Sequence, residues 1–182
     1  EYSSVALEDT ALEMSSYGKG DIREPFIVVK HEDGSTTSDF IFKDAIIHNG
    51  KKPMDTLPSS YDDAQADELV IRLKDRSYGE ELELYYYVFE KCDVIARRAV
   101  LYNEGTDSLC VKRLMSMQLD MDNYDYIMST FNGTWINEMN RHDCKVTGGK
   151  HVNSSYAGTS SSRANPFIML GKEHTTQDTG EC

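Results

Sequence analysis

The chain is short of the residues that mark most specialised classes of protein. It holds four prolines and one tryptophan in 182 residues, and its four cysteines, Cys92, Cys110, Cys144 and Cys182, form no closely spaced pair. That spacing excludes zinc patterns built on paired ligands, and a chain this long needs no disulfides to sustain a core. Positive charge is scarce too: 19 Lys and Arg stand against 31 Asp and Glu, a net charge of −12. So acidic a chain is a poor partner for nucleic acid, whose phosphates reward a basic patch, and for anionic membrane surfaces. No apolar run approaches the length of a membrane span. The first ten residues lack a basic stretch ahead of an apolar one, so no signal peptide is read there. Free thiols in a reducing cytoplasm are expected, and the glycosylation patterns Asn132-Gly133-Thr134 and Asn153-Ser154-Ser155 are taken as chance.

What the sequence does have is alternation. Over residues 80–103, Leu82, Leu84, Tyr86 and Val88 share one face, and Glu83, Tyr85, Tyr87 and Phe89 the other. After the corner Glu90-Lys91-Cys92-Asp93, the set Val94, Ala96, Arg98, Val100, Tyr102 alternates with Ile95, Arg97, Ala99, Leu101. A period of two in β-branched and aromatic residues predicts a central hairpin, covered at least in part on both faces. A helix fails because its i, i+3, i+4 sets mix Glu, Arg and Asp with apolar residues. Tyr85, Tyr87 and Phe89 are expected to fill the space between stacked sheets.

Further strands are predicted over residues 25–30, 39–48, 67–75, 109–119, 124–131 and 167–170. Phe40, Phe42 and Ile46 are expected in the core of the second. In the third, Leu69, Ile71 and Leu73 should point inward and Val70, Arg72 and Lys74 outward. A short amphipathic series, Val5, Leu7, Leu12 and Met14, comes before them. The loop over residues 49–63 holds Gly50, Pro53 and Pro58 and is neither helix nor central strand. Many short strands separated by glycine-marked turns predict an all-β fold, a sandwich of antiparallel strands. No internal repeat and no domain boundary stands out.

Motifs that carry chemistry are nearly absent. Asp120-Met121-Asp122-Asn123-Tyr124-Asp125 resembles a cation loop, but it lacks the glycine at the sixth position and the distal Glu, and reads as a polar turn. His142-Asp143-Cys144 offers ligand types in sequence, yet neighbours on a strand point to opposite faces. Ser160-Ser161-Ser162 has no nucleophile elbow around it, and no glycine loop cradles phosphate. No catalytic residue, metal site or cofactor is assigned. Trp135 stands apart: between Gly133-Thr134 and Ile136-Asn137 it can serve the core, or present its indole to the C–H face of a pyranose, and both readings stay open.

Eight stretches share an order and spacing with a known family. They are Tyr17-Gly18 with Asp21, Arg23 and Pro25; Asp33-Gly34-Ser35; Gly50-Lys51 with Pro53, Leu57, Pro58 and Tyr61; and Glu68 with Ile71, Leu73 and Asp75. Tyr87 follows, with Glu90 and Asp93-Val94-Ile95-Ala96-Arg97, then Gly133 with Trp135. The last two are Gly158 with Ser160-Ser161 and Asn165-Pro166-Phe167, and Gly180-Glu181. Together they resemble the N-terminal domain of glycoside hydrolase family 36 α-galactosidases over nearly the whole chain.

The resemblance implies that residues 1–182 are an N-terminal β-supersandwich, truncated at its own N-terminus, from a larger, cytoplasmic bacterial enzyme. The catalytic (β/α)₈ barrel, absent from this chain, would carry the two carboxylates of a retaining α-galactosidase, and this part alone would be inactive. Its partners would be that barrel, further copies in a tetramer, and an α-galactoside sugar, with Trp135 as one substrate contact. Where the family usually has a basic pair and histidines, this chain has Tyr156-Ala157 and Ser162-Arg163-Ala164, so its contact with the barrel should differ there. Two rivals remain: an independent carbohydrate-binding module, and a purely structural domain with Trp135 buried.

Overall fold

The structure is a computed structural model, and it describes residues 9–52, 54, 59–60, 66–122 and 125–179. Val5 and Leu7, Pro53, Leu57, Pro58 and Tyr61, Asn123 and Tyr124, and Gly180, Glu181 and Cys182 lie outside the described residues. The strands are β1 (Ile27–Lys30), β2 (Phe40–Asn49), β3 (Asp67–Asp75), β4 (Glu80–Phe89), β5 (Val94–Asn103), β6 (Cys110–Leu114), β7 (Ile127–Thr134), β8 (Asn137–Lys145) and β9 (Ile168–Gly171). They form antiparallel sheets in the orders β1-β6, β2-β3-β4-β5 and β8-β7-β9. The described residues contain no α-helix, and a 3₁₀ turn over Glu90–Cys92 joins β4 to β5. The fold is all-β, as the alternation predicts. The chain divides into two compact units, Glu1–Asp120 and Met121–Cys182, where the sequence marks no boundary.

In the first unit, the expected hairpin forms with its expected corner. β4 and β5 pair from Glu80 with Asn103 to Phe89 with Val94, and Asp93 closes the turn in the left-handed region at φ 53°. β3 runs along the other side of β4, so Leu73, Leu82 and Leu101 lie in one row and Ile71, Leu84 and Ala99 in the next. Against these rows pack Phe26, Ile27 and Val29 beside and within β1, joined by Phe40. The backbone ties this layer down: the Met115 N–H donates to the Phe26 carbonyl at 3.0 Å, and Phe26 donates to Ser15.

Several residues depart from the simple alternation. Of the three core residues expected in β2, Phe40 is buried and Ile46 half-buried, whereas Phe42 is 64% exposed. Phe42 shares the face of Phe40 and Leu73 but lines an open apolar pocket there, and the bulge at Lys43 that follows, with Phe42 opposite Leu73 and Asp44 opposite Arg72, carries Ile46 to the other face beside Val70. On β3, Ile71 and Leu73 pack on the main core as expected, while Val70, expected outside, is buried at 5% exposure. β6 stops at Leu114 rather than running to residue 119.

Among the described residues of this unit, no second sheet covers the outer face of β4. Arg98 lies 3.8 Å from the Tyr85 ring centre and donates to the Tyr87 hydroxyl at 2.9 Å, while Lys51 sits 4.9 Å over Tyr87. These guanidinium and ammonium groups cover the aromatic faces beside a small apolar cluster of Ala66, Tyr87 and Phe89. Burial, with the Arg98 charge nearby, holds the Lys51 ammonium below its ordinary pKa.

Near the start of β4 a histidine–carboxyl pair is closed off from water. His31 Nδ1 must be the donor to the Ser35 carbonyl at 3.1 Å, which leaves Nε2 facing Glu80 Oε1 at 2.7 Å. Both side chains are essentially unexposed, and the Tyr78 ring stacks on the imidazole at 3.5 Å. Two lone pairs so close and so dry require a proton between them. Asp75, the next carboxylate, is occupied by the N–H groups of Asp39, Ser77 and Tyr78, and Asp33 accepts from the Tyr78 hydroxyl.

Burial pushes the Glu80 carboxyl above its ordinary pKa; His31 opposes this and Asp75 adds to it. A raised carboxyl pKa favours the protonated folded state. The contribution is complete below the unfolded-state value and is lost as pH rises through the folded one. Thermal melts should therefore show a stability contribution that declines upward from about the ordinary carboxyl range. In Glu80→Gln, which keeps a donor to Nε2, that slope should flatten. Leu84→Ala should cost about 2–5 kcal/mol in denaturant unfolding, because Leu84 is nearly unexposed in the main core.

Candidate functional site

The second unit contains the one site residue singled out in the sequence. β7 and β8 are registered from Ile127 with Lys145 to Asn132 with Asn140, slip at a bulge, and close on Thr134 with Asn137. The extra residue lies on β8, where Glu138 and Met139 face Gly133 alone, and a Cβ on Gly133 would strike the Asn137 carbonyl, so no other residue fits without moving the partner strand. Beyond the bulge, Trp135 and Ile136 form a two-residue tip.

The tip is anchored from below. The Ile136 N–H donates to Glu138 Oε1 at 2.9 Å, and Asn140 Nδ2 donates to the Asn137 carbonyl at 2.9 Å. Ile136 is in the left-handed region at φ 65°, and Met139 repeats this at φ 60°. For a β-branched residue that conformation is an outlier costing roughly 1–2 kcal/mol. Trp135 is 86% exposed and Ile136 82% exposed. The reading of Trp135 as a core residue is therefore overturned within its own unit.

The motif residues around the tip are brought together by β7. Asn165 donates through both its backbone N–H (3.0 Å) and Nδ2 (3.2 Å) to the Phe131 carbonyl, and Phe167 stacks on Phe131 at 5.0 Å. The Asn165-Pro166-Phe167 stretch is thus fixed to the strand that carries Trp135. Beside it opens a pocket of about 330 Å³ lined in part by Asn153, Ser155, Ser160, Asn165 and Phe167, hydroxyl and amide groups around one aromatic ring. Tyr156 is fully exposed.

The other candidates separate. Asp143 accepts from Ser129 Oγ at 2.6 Å and from Arg141 at 2.7 Å, and these two donors hold its carboxyl below the ordinary range. His142 turns instead to Asn132, and Cys144 to His151. Among the described residues no group of three or more His, Cys, Asp or Glu is placed to hold a metal. In the first unit, Asp120 is a tie rather than a cation ligand: it accepts from the Leu12 N–H and pairs with Arg23. Arg23 also pairs with Asp21 and donates to the Thr10 carbonyl, so the Asp21, Arg23 and Pro25 motif is a knot joining the start of this unit to its end. Sequence reasoning passed over Ile136 and Glu138, since nothing in an isoleucine signals a left-handed turn.

The second unit thus offers an exposed tryptophan on an anchored hairpin tip, and among its described residues the candidate groups do not come together. The family model for the glycosyl hydrolase family 36 N-terminal domain matches residues 1–182, and the chain belongs to that family. It is 35% identical over 180 residues to α-galactosidase AgaA of Geobacillus stearothermophilus, covering 98% of this chain and 25% of the relative. It is 32% identical over 172 residues to α-galactosidase Mel36A of Lactobacillus acidophilus, covering 93% and 24%. The crystal structure of an AgaA variant in complex with stachyose superposes with a TM-score of 0.90 at 33% identity, over 94% of this chain and 24% of that one. The chain thus spans about a quarter of the length of these relatives and corresponds to their non-catalytic N-terminal domain.

Two measurements follow from the hairpin. A soluble quencher should reach the Trp135 fluorescence readily, and Trp135→Ala should leave the melting temperature almost unchanged, as expected for an exposed side chain. Gly133→Ala should destabilise the unit by about 1–3 kcal/mol in denaturant unfolding, because the added methyl forces the β8 backbone away.

Proposed function

We propose that this domain supports the hydrolysis of terminal α-galactosides by walling the sugar site of a full-length retaining α-galactosidase. In that reading a (β/α)₈ barrel of the same polypeptide supplies both reacting carboxylates. This domain packs on the barrel, helps to join subunits into a tetramer, and lends the face of Trp135 to the substrate. The observation that carries the reading is the indole held out at 86% exposure on a tip that Gly133 and Glu138 define. An indole spent on packing gains nothing there, whereas one facing a pyranose gains both apolar contact and a fixed orientation. The cytoplasmic location expected from the sequence is part of the same proposal, and fractionation of the source cells tests it.

The 182-residue chain should show no turnover of an aryl α-galactoside. In a full-length enzyme carrying this domain, Trp135→Ala should lower kcat/KM for raffinose by about tenfold or more, equivalent to about 1.4 kcal/mol of transition-state binding. An unchanged kcat/KM would remove Trp135 from the site. Saturable raffinose binding by the 182-residue chain alone, abolished in Trp135→Ala, would instead make it a self-sufficient carbohydrate-binding module.

A further inference from the structure

The hairpin tip contains a cost that the placement of Trp135 does not explain. A turn that only had to project an indole would put glycine or asparagine after it, because those residues accept a positive φ with little penalty. This chain has isoleucine there at φ 65°, among the residues least suited to that conformation. Burial offers little return, since the side chain is 82% exposed. The backbone is held regardless, by the Glu138 carboxylate accepting the Ile136 N–H and by the Thr134 with Asn137 pair beneath. Strain held in place by its surroundings, with no local return, points to a use for the side chain against something else.

We infer that Ile136 is a specificity-determining contact for oligosaccharide substrates, an inference that rests on the sugar-facing reading of Trp135. Consecutive residues have Cα atoms about 3.8 Å apart, so a ligand that reaches one side chain at this tip comes close to the other. An indole offers a flat surface to the C–H face of one ring. A branched aliphatic side chain offers no flat surface, only a compact apolar knob. It suits the uneven apolar edge of the ring joined to the first rather than stacking on the same one. Trp135 then orients the galactosyl unit while Ile136 packs against the neighbouring sugar of the leaving group, and the site favours oligosaccharides over free galactose.

The test uses the full-length enzyme, raffinose as substrate and galactose as competitive inhibitor. Ile136→Gly and Ile136→Asn both accept the left-handed backbone, so both should fold with equal or higher melting temperature. In both, KM for raffinose should rise about tenfold, the scale of losing part of a buried aliphatic side chain, with kcat changed less than twofold and the inhibition constant of galactose unmoved. Ile136→Val, which keeps the conformation and most of the apolar surface, should stay within about threefold of the unsubstituted enzyme on the same scale. An unchanged KM in the Gly and Asn variants overturns the inference, as does a galactose constant that moves in step with KM. Trp135→Ala, measured alongside, separates the failures. No effect there removes the sugar-facing reading itself, while an effect there with none at Ile136 removes this inference alone.

Discussion

Strand β4 is paired along nearly its whole length on both sides, to β3 from Glu81 to Lys74 through Val88 to Asp67, and to β5 from Glu80 to Phe89. That double registration is the constraint on which the first unit depends. A slip of one residue would carry Leu82 and Leu84 to the outer face and put Glu81 and Glu83 under Phe26, Ile27 and Val29. Burying two carboxylates without partners costs far more than the hydrogen bonds such a slip would keep. The same register brings Glu80 to the edge of the core beside His31, where it is the one acidic side chain of β4 closed off with an imidazole against it. The core and the buried pair of His31 with Glu80 are therefore two consequences of one alignment.

The hairpin of residues 80–103 was legible because every level of its sequence agreed. It has strict alternation, β-branched and aromatic residues, and a polar corner ending at an aspartate that tolerates a positive φ. β2 was only partly legible because a bulge has no composition of its own. Phe40 and Ile46 read as one face with Phe42, and the inserted Lys43 sends them to different ones. The division after Asp120 was hidden for another reason. The residues there look like a solvent-facing turn, while Asp120 in fact closes a tie to Arg23 and Leu12 across more than 90 positions of sequence. Long-range pairs of that kind leave no local period to read.

The site was legible in part. Residue type placed Trp135 beside a turn but left open whether the indole faced inward, since a lone aromatic satisfies either role. The exposure of the tip decides that point for its own unit. Ile136 was passed over because propensity argues against isoleucine in a left-handed turn, and violations of local rule concentrate where a side chain is needed for something other than the fold. On the outer face of β4, alternation identified large aromatic groups without saying what would cover them. Arg98, two positions before Val100 on the neighbouring strand, supplies the cover from its own sheet.

The bulge at Lys43 does more than carry Ile46 to the other face. Among the described residues, β2 is the outermost member of its sheet, with the opposite side of its backbone unpaired. A straight ten-residue rim with Ile41, Phe42 and Ile47 exposed along it would be a ready template for a foreign strand. The extra residue interrupts the spacing of N–H and C=O groups at its middle, and the Lys43 ammonium, paired to Glu81 at 2.6 Å, adds a charge at the break. An incoming chain meets two short rails out of phase with one another, and neither is long enough to hold it.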